Sequence, residues 1–143
     1  MPADVLSIGL VVADHVCAPV SHMPAPGELV TTEQMLLTIG GGASNAAVDL
    51  RKMGVSVAIA AAVGDDAFGR IVRDVLDSHG VDTTGLKISR TQPTSQTLIV
   101  NVQGQDRRFI HLIGAYADYR AEDIPLDRVR QCKALYLGYF ILM

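Results

Sequence analysis

The chain has 143 residues, the size of one domain. It is 49% hydrophobic but only 5% aromatic and lacks Trp, so its core volume must come from Ala, Val, Leu and Ile. That palette suits helices packed on a buried parallel sheet, and a net charge of −3 excludes an electrostatic case for nucleic acid or an anionic membrane. Cys17 and Cys132 lie far apart without a metal-type spacing and read as reduced thiols. No basic-then-apolar leader opens the chain, and the apolar run Gly54–Gly64 is too short to span a bilayer. A soluble, cytoplasmic protein with no membrane partner is expected.

Val5–Val12 (VLSIGLVV) reads as a buried strand, with Ala13, Asp14 and His15 at its C-terminal end. Prolines and a glycine make Ala18–Val30 a loop. Thr31–Ile39 reads as an exposed strand. Gly40, Gly41 and Gly42 then precede an amphipathic run ending at Gly54, with Ser44 or Asn45 expected to cap the helix. In that helix Ala47, Val48, Leu50 and Met53 are placed inward. Val55–Val63 has no polar alternation, as in a strand covered on both faces. A second helix follows, with Asp65 or Asp66 at its positive end, an apolar stripe including Val72 and Leu76, and Gly80 as its stop.

Thr94–Gly114 reads as two strands joined at residues 103–106, one face apolar and the other polar. Ala121–Cys132 reads as a short helix with Asp123 near its cap and Pro125 in its first turn. Ala134–Met143 reads as a final apolar strand. Strands alternating with helices predict a parallel α/β sheet, and the exposed strands predict a small second sheet beside it. The last apolar run has no helix to cover it, so the chain is expected to be the N-terminal half of a longer fold or to need a partner.

The glycine stretch is not a Walker loop, which needs Gly-Lys-Ser/Thr, nor a GxGxxG fingerprint, since Asn45 stands where the last glycine belongs. An NAD-binding oxidoreductase therefore ranks last. Glycines without Cβ atoms let backbone amides approach a ligand, and the Asn45 side chain both donates and accepts, which suits hydroxyls better than phosphate.

Gly40–Gly64 (GGGASNAAVDLRKMGVSVAIAAAVG) closely resembles the N-terminal signature of the ribokinase-like (PfkB) family of carbohydrate and nucleoside kinases. GLVVADHV at Gly9–Val16, VGDDAFG at Val63–Gly69, GVDTTGL at Gly80–Leu86 and QPTSQTLIVNVQG at Gln92–Gly104 extend the match. The resemblance implies a Rossmann-like α/β sheet flanked by helices, with a small β-sheet lid inserted as strands near residues 15–39 and 94–113. Residues 1–143 would form the N-terminal part of one such domain. It implies transfer of the γ-phosphoryl of ATP to a sugar hydroxymethyl group. Asp14, Gly41, Gly42 and Asn45 would bind the sugar or nucleoside, with Thr97 and His111 on the lid strands facing it.

The family's second signature, a DTxGAGD-like stretch that supplies the catalytic base, is absent from the sequence. ATP and Mg2+ are expected for the full-length enzyme, with no site for either, no metal site and no catalytic residue in this chain. Homodimerisation through the lid sheet is expected. Ribose-specific members tend to carry Asn two residues before the Asp, where Val12 stands here, and GYF at Gly138–Phe140 suggests broader specificity. The resemblance thus leaves a less polar pocket, for a nucleoside or a modified sugar, as an alternative. A non-catalytic sugar- or nucleoside-binding module is the rival reading.

Overall fold

The structure is a computed structural model that describes residues 2–138. In chain order the elements are β1 (Val5–Gly9), β2 (Val12–Cys17), β3 (Met35–Gly40), α1 (Gly42–Lys52), β4 (Val57–Gly64) and α2 (Ala67–Ser78). There follow β5 (Asp82–Ser89), β6 (Gln96–Val100), β7 (Arg108–Leu112), α3 (Leu126–Gln131) and β8 (Ala134–Gly138). They build two four-stranded sheets. The first has the order β5-β4-β1-β8 and is parallel throughout. The second has the order β3-β2-β6-β7. There β2 runs parallel to β6, while the outer pairs β2–β3 and β6–β7 are antiparallel.

The uniform apolar texture of β4 has the cause expected of it. Every β4 residue is buried. Val57, Ile59, Ala61 and Val63 meet Ala43, Ala47 and Val48 of α1 and Val72 and Leu76 of α2. Ala58, Ala60 and Ala62 face the other way, against Leu6, Ile8, Ala115 and Tyr119. Small alanines on that face let the turn Gly114–Asp118 lie directly on the strand. The α2 helix begins at Asp66, whose carboxylate accepts from the Gly69 amide at 2.8 Å, and it ends before Gly80 at φ +74°. Both are ordinary helix punctuation.

Several elements differ from the expectation. Val5–Val12 is not one strand: β1 stops at Gly9 and the chain changes sheet before Val12. Asp14 therefore sits within β2, not beyond the end of a core strand. The exposed strand before the glycines begins at Met35 and runs to Gly40. Neither Ser44 nor Asn45 caps α1; Gly41 occupies that position, and the Ser44 hydroxyl donates back to the Gly40 carbonyl. Met53 ends α1 and is exposed.

The segment Asp82–Ser89 is a strand that was not expected from the sequence. The helix expected over 121–132 breaks into a single turn at Ala121–Asp123 and the short α3. Pro125 precedes α3 because a proline pushes the residue before it, Ile124, into extended backbone (φ −68°, ψ 121°). Of the apolar end segment, β8 pairs with β1 and leaves Leu135 and Leu137 exposed. Residues 139–143, with most of GYF, lie outside the described residues.

Candidate functional site

The second sheet presents one face to the start of α1. Pairing register decides which side chains share that face. Thr38, Asp14, Thr97 and His111 stand in one row across all four strands. The next row on the same face is Leu36, Val16, Ile99 and Phe109. Between this face and the glycine turn lies a cavity of about 440 Å3. Asp14, Thr97 and His111 line it from the sheet, and Gly41 and Asn45 line it from the helix start. Gly42 does not reach this cavity; it is buried as the first residue of α1.

The glycine triplet is explained by backbone crowding. A Cβ on Gly40 would collide with the Asp14 carboxylate on the paired strand. Gly41 takes φ +95°, and a Cβ there would strike the Leu10 carbonyl, where the chain passes between sheets. The Ala43 amide donates to that same carbonyl at 3.1 Å. Helix start and sheet crossing are thereby pinned together, with only glycine able to occupy the contact.

Asp14 is half-buried, and burial pushes its carboxyl above the usual carboxylate range. A hydrogen bond from Thr97 and the nearby His111 and His15 rings act in the opposite direction. Thr97 Oγ1 also lies 3.0 Å from His111 Nδ1. A hydroxyl has one proton. With that proton directed to Asp14, Thr97 accepts from His111 Nδ1. The row thus combines a carboxylate, a hydroxyl and an imidazole in one hydrogen-bonded chain, a surface built to bind hydroxyl groups.

His15 takes no part, because it faces the other side of the sheet. Its ring meets Phe68 edge-on at 5.1 Å, and its Nε2 lies 3.1 Å from Gln96 Oε1. Asp66 is a structural tie. It accepts from the Thr94 amide at 2.8 Å and the Thr94 hydroxyl at 2.7 Å, besides capping α2. Burial opposes its ionisation, but these hydrogen bonds prevail and hold its carboxyl below the usual range.

Sequence reasoning missed Arg107, Phe109 and Ile99 on the cavity wall. The signal was present in the alternation of Arg107, Phe109 and His111, which places all three on one strand face. A second cavity of about 290 Å3 lies between the α3 region and the start of β1, but its Asp82 and Arg128 are already paired at 3.0 Å.

Neither cavity fits a metal-bound nucleotide. Among the described residues no group of three or more His, Cys, Asp or Glu is placed to hold a metal. The sequence has no Gly-Lys-Ser/Thr loop for a triphosphate. No helix among the described residues is long and apolar enough to cross a membrane.

Comparison with known proteins agrees with this architecture. The chain is 27% identical over 108 residues to ribokinase of Haemophilus influenzae, covering 76% of this chain and 35% of that protein. It is 33% identical over 100 residues to aminoimidazole riboside kinase of Salmonella typhimurium, covering 69% and 32%. It is 25% identical over 143 residues to fructokinase of Solanum tuberosum, covering 97% and 43%. The chain thus spans less than half the length of these relatives. The fold matches that of Arabidopsis thaliana ribokinase complexed with ribose and ATP, with a TM-score of 0.82 at 21% identity, over 96% of this chain and 45% of that one. Ribokinase of Thermotoga maritima matches with a TM-score of 0.79 at 24% identity, over 93% and 44%. A family match to the pfkB carbohydrate kinases extends over residues 2–142, and the chain belongs to that family.

Proposed function

We propose that this chain is the substrate-holding part of an ATP-dependent kinase that phosphorylates a hydroxymethyl group on a sugar or nucleoside. The carrying observation is the convergence of Asp14, Thr97 and His111, one row of the second sheet, with Gly41 and Asn45 on a single cavity. In this reading the Asp14 carboxylate accepts hydrogen bonds from two substrate hydroxyls. Asn45 and the backbone at Gly41 fix the substrate's other side, and Thr97 and His111 complete the hydroxyl contacts, while Gly42 only seats the start of α1 behind them. The second sheet acts as a lid over residues near 15–39 and 94–113. Its closure would exclude water, the competing phosphoryl acceptor.

In this reading the proton acceptor and the site for ATP with Mg2+ are supplied from outside this chain, a reading supported by its spanning less than half the length of its relatives. A cytoplasmic location accords with that chemistry, and fractionation of cells producing the tagged protein tests it. Two copies would pair through their lids, where the exposed Leu37, Leu98 and Ile110 share a row with His15. A non-catalytic sugar-binding module uses the same cavity but never consumes ATP.

Calorimetric titration with ribose and fructose tests the site. Binding is expected in the native chain and is expected to weaken at least tenfold in Asp14→Asn. Equal affinity of both forms for every sugar would remove Asp14 from the site.

A further inference from the structure

The Asp66 carboxylate makes more bonds than a helix start requires. Its bond from the Gly69 amide at 2.8 Å completes the cap of α2. Its other two bonds come from Thr94, 28 residues along the chain: the amide donates at 2.8 Å and the hydroxyl at 2.7 Å. Thr94 is fully buried, and its hydroxyl also accepts from the Gly64 amide at 2.9 Å. A Cβ on Gly64 would come within 2.5 Å of the Thr94 amide nitrogen, and one on Gly69 within 2.9 Å of the Thr94 hydroxyl. The end of β4 and the start of α2 thus close around one residue at the foot of β6.

That foot carries the registers of the hydroxyl-binding row. Ser95 is fully buried; its carbonyl accepts from the Ala13 amide at 2.9 Å, and its hydroxyl donates to the Ile113 carbonyl. Two residues later Thr97 stands opposite Asp14 on one side and His111 on the other. Thr97 lies about 10 Å along the chain from Thr94, and Asp66 does not line the cavity. A shift at the foot of β6 moves Thr97 and, through the two registers, its neighbours in the row. Hydrogen bonds to substrate hydroxyls weaken steeply with such displacement.

We infer that Asp66 is a positioning residue for the row Asp14, Thr97 and His111, acting through Thr94 and without touching the ligand. The inference rests on the reading above that this row takes substrate hydroxyls.

Two measurements on the whole chain test it: nitrogen NMR of the His111 ring, which reports the 3.0 Å contact with Thr97, and calorimetric titration with ribose. Asp66→Ser supplies one oxygen for the cap and leaves the Thr94 amide without an acceptor. Asp66→Asn keeps the cap and the acceptor for the Thr94 hydroxyl but turns an N–H toward the Thr94 amide. Each is expected to shift the His111 Nδ1 resonance and to weaken ribose binding about tenfold. Thr94→Ser keeps both groups that Asp66 holds and is expected to match the native chain in both measurements. Val72→Ala truncates a buried side chain of the same helix; it is expected to lower the melting temperature and leave both measurements unchanged. A His111 resonance that both Asp66 variants leave in place overturns the positioning role, and so does unchanged affinity in a chain that binds ribose. Equal effects from Val72→Ala overturn it as well, since the tie then acts only through stability. A native chain that binds no ribose, with the His111 resonance moved by the Asp66 variants alone, removes the sugar reading and retains the positioning role.

Discussion

Asp14 illustrates how a residue can be right for a ligand and wrong for the fold. Its carboxyl is raised by burial, so the folded chain holds that proton more tightly than the unfolded chain does. The contribution to stability is therefore fully present below the ordinary Asp range and declines as pH rises through the folded value. At neutral pH the ionised group is a net cost. Asp14→Asn is expected to leave the melting temperature unchanged or raise it while weakening sugar binding, as scanning calorimetry beside titration can show. Ligand binding through the carboxylate should fade on acidification at a higher pH than an ordinary Asp would give.

Gly41 permits a sharper contrast at the same scale. It has φ +95° and backbone where a Cβ would sit, whereas Gly54 has φ +85° and open space. Gly54→Ala should cost about 1 kcal/mol, the left-handed backbone penalty alone. Gly41→Ala should cost more, because the Leu10 carbonyl must also move. Equal losses in chemical denaturation would show that the sheet crossing is not crowded.

Among the elements, α1, β4, α2 and the hairpin of β6 and β7 were legible because local pattern and tertiary role coincide there. Val72 and Leu76 are buried as the helical stripe requires, and β4 is buried on both faces. The split between β1 and β2 was not legible. Leu10, Val11 and Val12 are as apolar as the residues before them, and all are buried, but Leu10 and Val12 pack on Tyr116 while Val11 joins the core under α1 and α2. Only the positive φ of Gly9 and the crowding at Gly138 mark the break, and Gly138 is far away in sequence. The strand β5 was hidden by its polar, alternating texture and by Gly85, a residue that reads as a turn. Here it admits the Ile59 carbonyl of β4.

In the site, Asp14 and the glycines were legible as family signature, whereas Arg107 and Phe109 carry no signature and emerge only from strand register. At α2, the tie from Asp66 to Thr94 joins the helix start to the approach of β6. Asp66→Ala is expected to cost about 1–2 kcal/mol, the upper range for a lost cap. Its lowered carboxyl makes that contribution present above the ordinary Asp range and lost as pH falls through the folded value. A melting curve of the variant that converges with the native one in acid would confirm the sign.

For the whole molecule, the exposed Leu37, Leu98 and Ile110, in one row with His15, sit on the sheet face away from the cavity. Burial of such a row between two copies would remove apolar surface from water at about 25 cal/mol per Å2. Sedimentation at rising concentration should show a dimer, and Ile110→Asp should return it to monomer. A native chain that stays monomeric throughout would leave this row without a partner of its own kind. Leu135 and Leu137 of β8 present a second apolar surface, at the edge of the parallel sheet. Two separate surfaces of this kind predict that a charge placed on one leaves the association through the other intact.

The seam between β2 and β6 also dictates an order of events. The two strands are neighbours in space, yet the Asn101 side chain that bonds the Cys17 carbonyl across them is 84 residues distant along the chain. Loop closure over such a distance is slow relative to formation of α1, α2 or the β6–β7 hairpin. A nascent polypeptide would therefore acquire its helices early and its ligand cradle later, when the hairpin has emerged and swung back to β2, with β8 joining β1 after that. Pulsed hydrogen exchange during refolding should find β4 amides protected before those of β2, and simultaneous protection would refute this late maturation.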